Sequence, residues 1–122
     1  MKYQNVYKIL TVREWDMAQK SGFINTDLDT KDGFIHFSSA IQLATSLELY
    51  FSNHQEVILL LPNMKKIEAN LKYELTRPDS KRKGFFAHLY SDLSTEDIIK
   101  SWRIKREAFK LPISILLEAE SF

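Results

Sequence analysis

The sequence predicts an α+β fold, a mixed β-sheet covered by helices, and three observations carry that expectation. Short β-branched and aromatic runs outnumber helical periods along the chain. Two segments, one ending near Ser21 and one with Ile41, Ala44, Leu47 and Phe51 at helical spacing, supply the long helices. The apolar run 57–61 (VILLL), stopped by Pro62, suits a strand buried on both faces at the sheet's centre.

The elements follow in order. Residues 6–10 (VYKIL) form the first strand, and Thr11-Val-Arg-Glu14 is a capping box opening a helix that ends at Gly22. Residues 25–33 (NTDLDTKDG) read as a polar, turn-rich loop, and 34–38 (FIHFS) as a strand. Ser39-Ala-Ile-Gln42 is a second capping box, starting the helix that runs to Ser52 and Asn53. After the central strand, 63–69 forms a short helical turn, and strands at 71–76 and 85–90 flank the polar stretch 77–84. Ser94-Thr-Glu-Asp97 caps a brief helical segment, and 102–105 and 112–117 are the final strands.

With 122 residues, 44% hydrophobic and 27% charged, and only six Gly or Pro, residues 1–122 are expected to form one domain. A chain of this length buries roughly two-thirds of its unfolded surface. It has no cysteine, which excludes disulfides, thiolate metal sites and Cys nucleophiles and makes the cytoplasm the expected compartment. No apolar run approaches a membrane span, and the first ten residues lack a secretory pattern, so no membrane partner is expected. The net charge of +1 argues against nucleic acid as a partner. Residues 1–62 hold five basic and seven acidic side chains, and 63–122 hold twelve and nine. Basic groups gather at Arg77, Lys81, Arg82 and Lys83, and again at Lys100, Arg103, Lys105, Arg106 and Lys110. These are either solvated faces or a rim that attracts a phosphorylated small molecule.

Asp32-Gly-Phe-Ile-His-Phe-Ser-Ser39 is the segment richest in chemistry. In one continuous strand, Phe34, His36 and Ser38 share a face. The strand runs into a helix capped by Ser38 or Ser39, whose free amides would sit beside the imidazole as an anion site. In 85–90 (FFAHLY) the alternation puts Phe86, His88 and Tyr90 on one face. If the two strands converge, which the spacing alone does not fix, His36 and His88 share one cleft, with Ser38 and Tyr90 opening onto it. His54 reads as exposed in a polar loop, and Glu74, the one acid within a predicted strand, is expected to pair with Arg77 or another basic rim residue. Two strand histidines with a loop carboxylate such as Asp29 or Asp32 are the residue types that coordinate zinc or iron. No HxH or HExxH spacing supports such a site, so no metal is expected.

Residues 6–10, Glu14-Trp15, Asp32-Gly-Phe-Ile-His-Phe-Ser38 with Gln42, Glu74 and Phe86-Ala-His-Leu-Tyr90 together resemble the small bacterial proteins grouped as domain of unknown function 952. The likeness covers about residues 5–100 and leaves 106–122 as a C-terminal extension. It implies an ADP-ribosyltransferase-like fold, a split mixed sheet holding NAD in a cleft. Carried onto this chain, it puts Tyr7 and Lys8 on a first cleft strand, His36 and Ser38 on a second, and His88 with Tyr90 on a later one. The chain departs from the pattern in having Lys8 where active transferases have His or Arg, Ala87 in place of Pro and Ser91 in place of Gly.

These readings set the functional expectations. The chain should bind a nucleotide or ADP-ribose/NAD-type ligand, with NAD or ADP-ribose as substrate and no required cofactor. His36 and His88 would be catalytic, and Tyr7, Lys8, Ser38, Ser39, Glu74 and Tyr90 would bind the ligand. Imidazole suits acid or base work in glycosyl or ADP-ribosyl transfer or hydrolysis at neutral pH. The alternatives are a non-catalytic binding module and a two-histidine phosphoesterase, whose paired H-x-S/T motifs are met by His36-Phe-Ser38 but not by His88-Leu-Tyr90.

Overall fold

The computed structural model describes residues 5–76, 78–105 and 113–122. Its architecture is α+β, but the strands pair antiparallel throughout the described residues, in two sheets, rather than forming a mixed sheet. Strands β1 (Val6–Thr11), β3 (Ser38–Ser39), β4 (Glu56–Pro62) and β7 (Ile98–Lys105) form one sheet in the order β3-β1-β4-β7. Strands β2 (Ile35–His36), β5 (Leu71–Leu75) and β6 (Phe85–Leu89) form the other, in the order β2-β6-β5.

The apolar run places β4 as expected. It lies between β1 and β7, and its residues from Val57 to Leu61 are buried on both faces. On one face Tyr7, Ile9, Val57, Leu59 and Leu61 pack with Leu43 and Leu47 of α3 (Leu43–Phe51). Ala119 of α5 (Ile113–Glu120) joins this cluster, with Ile115 and Leu116 against it. The other face carries Val6, Leu10, Ile58 and Leu60. These meet Ala18 of α1 (Val12–Ser21) and Ile35, Ala87 and Leu89 of the second sheet. The short helix α4 (Met64–Ile67) and the 3-10 turns Glu68–Asn70 and Thr95–Asp97 fill connections.

Three elements depart from expectation. The polar stretch after Phe23 contains a helix, α2 (Asp27–Asp32), with a full capping box between Thr26 and Asp29 and a left-handed Gly33 at its end. The tail that reads as a strand is helical over Ile113–Glu120, since Ile115, Leu116 and Ala119 fall on one helical face; Pro112 lies outside the described residues. Finally, 34–38 is not one strand. Ile35 and His36 pair with β6, Phe37 is buried at a crossover, and Ser38 and Ser39 pair with β1 in the other sheet.

The second capping box is only half made. Ser39 N–H donates to the Gln42 carboxamide oxygen, but α3 begins at Leu43 and Ile41 is 89% exposed. Replacing Thr26 by Ala removes a complete box, and a loss of about 1 kcal/mol in a urea titration is expected.

Candidate functional site

The crossover at Phe37 brings α2, β1 and the paired strands β2 and β6 together around a buried ionic chain. Lys8 projects from the interior face of β1 and is 3% exposed. Its Nζ donates to both carboxylate oxygens of Asp29, at 2.9 and 2.8 Å, and to the His36 carbonyl at 3.0 Å. Asp29 also accepts the backbone amides of Thr26 and His36, both at 3.0 Å. Burial by itself would raise the Asp29 carboxyl, yet Lys8, His36 and Thr26 together hold it well below the ordinary carboxylate range.

His36 lies between two carboxylates. Its Nδ1 is 2.7 Å from Asp29 and its Nε2 is 2.8 Å from Asp32, four residues upstream and at the end of α2. Carboxylates accept and do not donate, so both contacts are hydrogen bonds when each ring nitrogen carries a proton. In register across the strand pair, His36 faces His88, with ring centroids 5.6 Å apart. Phe34 stacks on His88 at 3.9 Å and tilts against His36 at 4.7 Å.

His88 is held differently. Its Nδ1 is 2.9 Å from Glu74, and the Tyr90 hydroxyl donates to the same Glu74 oxygen at 2.5 Å. Burial pushes the His88 imidazole below its ordinary value, against the pull of Glu74. Glu74 is held low by the hydrogen bonds from Tyr90 and His88. Among the described residues its hydrogen-bond partners are these two side chains; Arg77, the partner expected from the sequence, lies outside the described residues.

Two cavities, of about 240 and 390 Å³, meet at Leu28, His36, Tyr50 and Arg82, which line both. The smaller is also lined by Tyr7, Lys8, Ser38 and Ser46, and the larger by Phe34, Glu74, His88 and Tyr90. Arg82 is the residue that local sequence pattern misses. It sits in a basic run yet is only 6% exposed, with its guanidinium 3.9 Å from the Phe86 ring centroid and 5.9 Å from that of Tyr50. Nη1 donates to Ser38 Oγ at 3.2 Å, and Ser38 is 2.8 Å from Ser46 Oγ. Among the described residues, no carboxylate lies within ion-pair distance of Arg82. Burial lowers its affinity for a proton, opposed at longer range by Tyr50, Asp29 and Asp32.

The expected site is therefore brought together in part. His36 and His88 meet, but as neighbours on adjacent strands, and Ser38 and Tyr90 open onto different cavities. Ser39 lines neither cavity, and its amide is taken by Gln42, so of the amides expected to cradle an anion that of Ser39 is already engaged. Lys8 and Tyr7 are buried on β1. His54 is half-buried beside Phe51 on the wall of the smaller cavity, not exposed. Among the described residues no His, Asp and Glu cluster has the arrangement of a metal site. No helix there is long and apolar enough to cross a membrane.

A family model described as Protein of unknown function (DUF952) matches residues 9–101. No curated protein matches the chain. The crystal structure of protein CC0527 from Caulobacter crescentus is similar at 29% identity over 81% of this chain and 84% of that one, with a TM-score of 0.71. The solution NMR structure of CC0527 has the same identity and TM-score over 84% of this chain and 86% of that one.

Proposed function

Because the chain belongs to the family described as Protein of unknown function (DUF952), whose description assigns no chemistry, we propose its function from its own side chains: binding of a phosphorylated nucleotide of the ADP-ribose or NAD class across the joined cavities, with a phosphate on Arg82. The observation that carries this reading is Arg82 itself, a buried cation shared by both cavities and without a carboxylate partner among the described residues. Burying a charge is costly unless an opposite charge answers it. A guanidinium fork matches two phosphate oxygens at once. The larger cavity alone, at about 390 Å³, falls within the range of small-molecule sites, and the smaller extends it past Arg82.

In this reading His88 is the general base for transfer or hydrolysis at a ribosyl carbon. When its neutral ring donates Nδ1–H to Glu74, Nε2 keeps the lone pair. That nitrogen takes the proton of an attacking water or hydroxyl; the oxygen bonds the ribosyl carbon, and the departing group leaves with its bonding pair. His36, with each nitrogen against a carboxylate, is a positioning residue that holds β2 against α2. A two-histidine phosphoesterase needs both imidazoles at one phosphate, and the two carboxylates on His36 weigh against that alternative.

The test is a product assay with NAD and with ADP-ribose. His88→Gln is expected to lower turnover by about 10²–10⁴-fold with little change in affinity. Because burial lowers the His88 pKa, the neutral base persists to more acid pH, and the acid limb of the rate profile should fall below the ordinary imidazole value of about 6.5. Binding without turnover in the wild type would leave a non-catalytic module, and neither binding nor turnover would end the reading.

A further inference from the structure

We propose that the chain forms a two-fold dimer through β5, paired antiparallel with β5 of a second copy and centred on Tyr73. β5 is an edge strand, and among the described residues no strand pairs with its outer side. The backbone shows which groups that edge presents. Thr76 N–H donates to the Gly84 carbonyl and Tyr90 N–H to the Asn70 carbonyl, each at 2.9 Å, in the register that pairs Lys72 with His88 and Glu74 with Phe86. Antiparallel ladders alternate, so the backbone groups of Lys72 and Glu74 turn toward β6 and those of Leu71, Tyr73 and Leu75 turn outward. A strand centred on Tyr73 would exchange hydrogen bonds between the two Tyr73 residues, and between Leu71 and the second copy's Leu75.

The side chains select that register. With Tyr73 on the two-fold axis, Lys72 stands opposite the second copy's Glu74, and Glu74 opposite its Lys72. These positions are non-hydrogen-bonded pairs, where side chains approach most closely. A shift by two residues in either direction places Lys72 against Lys72 or Glu74 against Glu74, so like charges penalise the competing registers. On the opposite face, Tyr73 is 52% exposed and Leu75 65%, beside Phe85 at 63%; pairing would cover this apolar strip with its own copy. An edge with exposed apolar residues is a template for pairing unless it is blunted, and here the pattern over the five residues of β5 is self-complementary.

Sedimentation of the full chain tests the proposal. The wild type should sediment as a dimer that dissociates on dilution. Lys72→Glu and Glu74→Lys should each weaken self-association by at least about tenfold, because each creates like-charge pairs. An equimolar mixture of the two variants should dimerise again, since both carboxylates on β5 of the Lys72→Glu chain then face the two ammonium groups on β5 of the Glu74→Lys chain; a folding defect in either variant could not give that recovery. A wild type that stays monomeric up to its solubility limit overturns the proposal and leaves the edge to a strand from another protein. Variants that dimerise like the wild type, or a mixture that stays monomeric, overturn it as well.

Discussion

Asp29→Asn is expected to lower the free energy of unfolding by about 3–5 kcal/mol, the cost of leaving a buried charge without its partner. The stranded charge is Lys8, whose ammonium is buried with two of its contacts on Asp29. Urea unfolding measures the loss, and a change below about 1 kcal/mol would mean that the ionic chain does not hold β1, α2 and β2 together. The same residue sets an acid limb. The folded-state pKa of Asp29 lies below its unfolded value of about 3.9, so its contribution is fully present above that value and is lost as pH falls toward the folded pKa. The wild type should thus lose stability from about pH 4 downward, and Asp29→Asn should flatten that part of the curve.

The second large effect is on binding. Arg82→Lys keeps the positive charge but loses the planar fork, and it should weaken ADP-ribose binding by about 10–100-fold in calorimetry, the size expected for charge-assisted hydrogen bonds. Arg82→Gln should weaken it further. The urea midpoint of each variant serves as the control for packing against Phe86 and Tyr50. An Arg82→Lys protein that unfolds like the wild type and binds ADP-ribose equally well would remove the phosphate from Arg82.

What the sequence reveals of this architecture depends on how local each cause is. The Thr11 capping box and the buried run of β4 are local signals, and both elements form as read. The alternation shows which side chains share a face with His36 and with His88, but the pairing of their two strands is a long-range register that no local spacing carries. The capping box at Thr26 has Asp rather than Glu at its third position and sits among turn-forming residues, so α2 is masked by its own composition. In α5 the β-branched Ile113 and Ile115 favour a strand reading, and only packing of Ile115, Leu116 and Ala119 onto the sheet decides for helix. Arg82 is the clearest non-local case. Nothing in Lys81-Arg82-Lys83 separates a solvated side chain from a buried one; Phe86, Tyr50 and Ser38 make that difference, and they come from three other parts of the chain.

The most direct measurement is an NMR titration that follows the Arg82 Nε–Hε signal, assigned by its loss in Arg82→Lys. If Arg82 is the phosphate anchor, ADP-ribose should shift this signal saturably, with the His88 ring signals moving at the same ligand concentration and the response persisting in added salt because the site is buried. An Arg82 signal that stays still while the exposed Lys81 and Lys83 respond, and a response that fades with salt, would contradict the account.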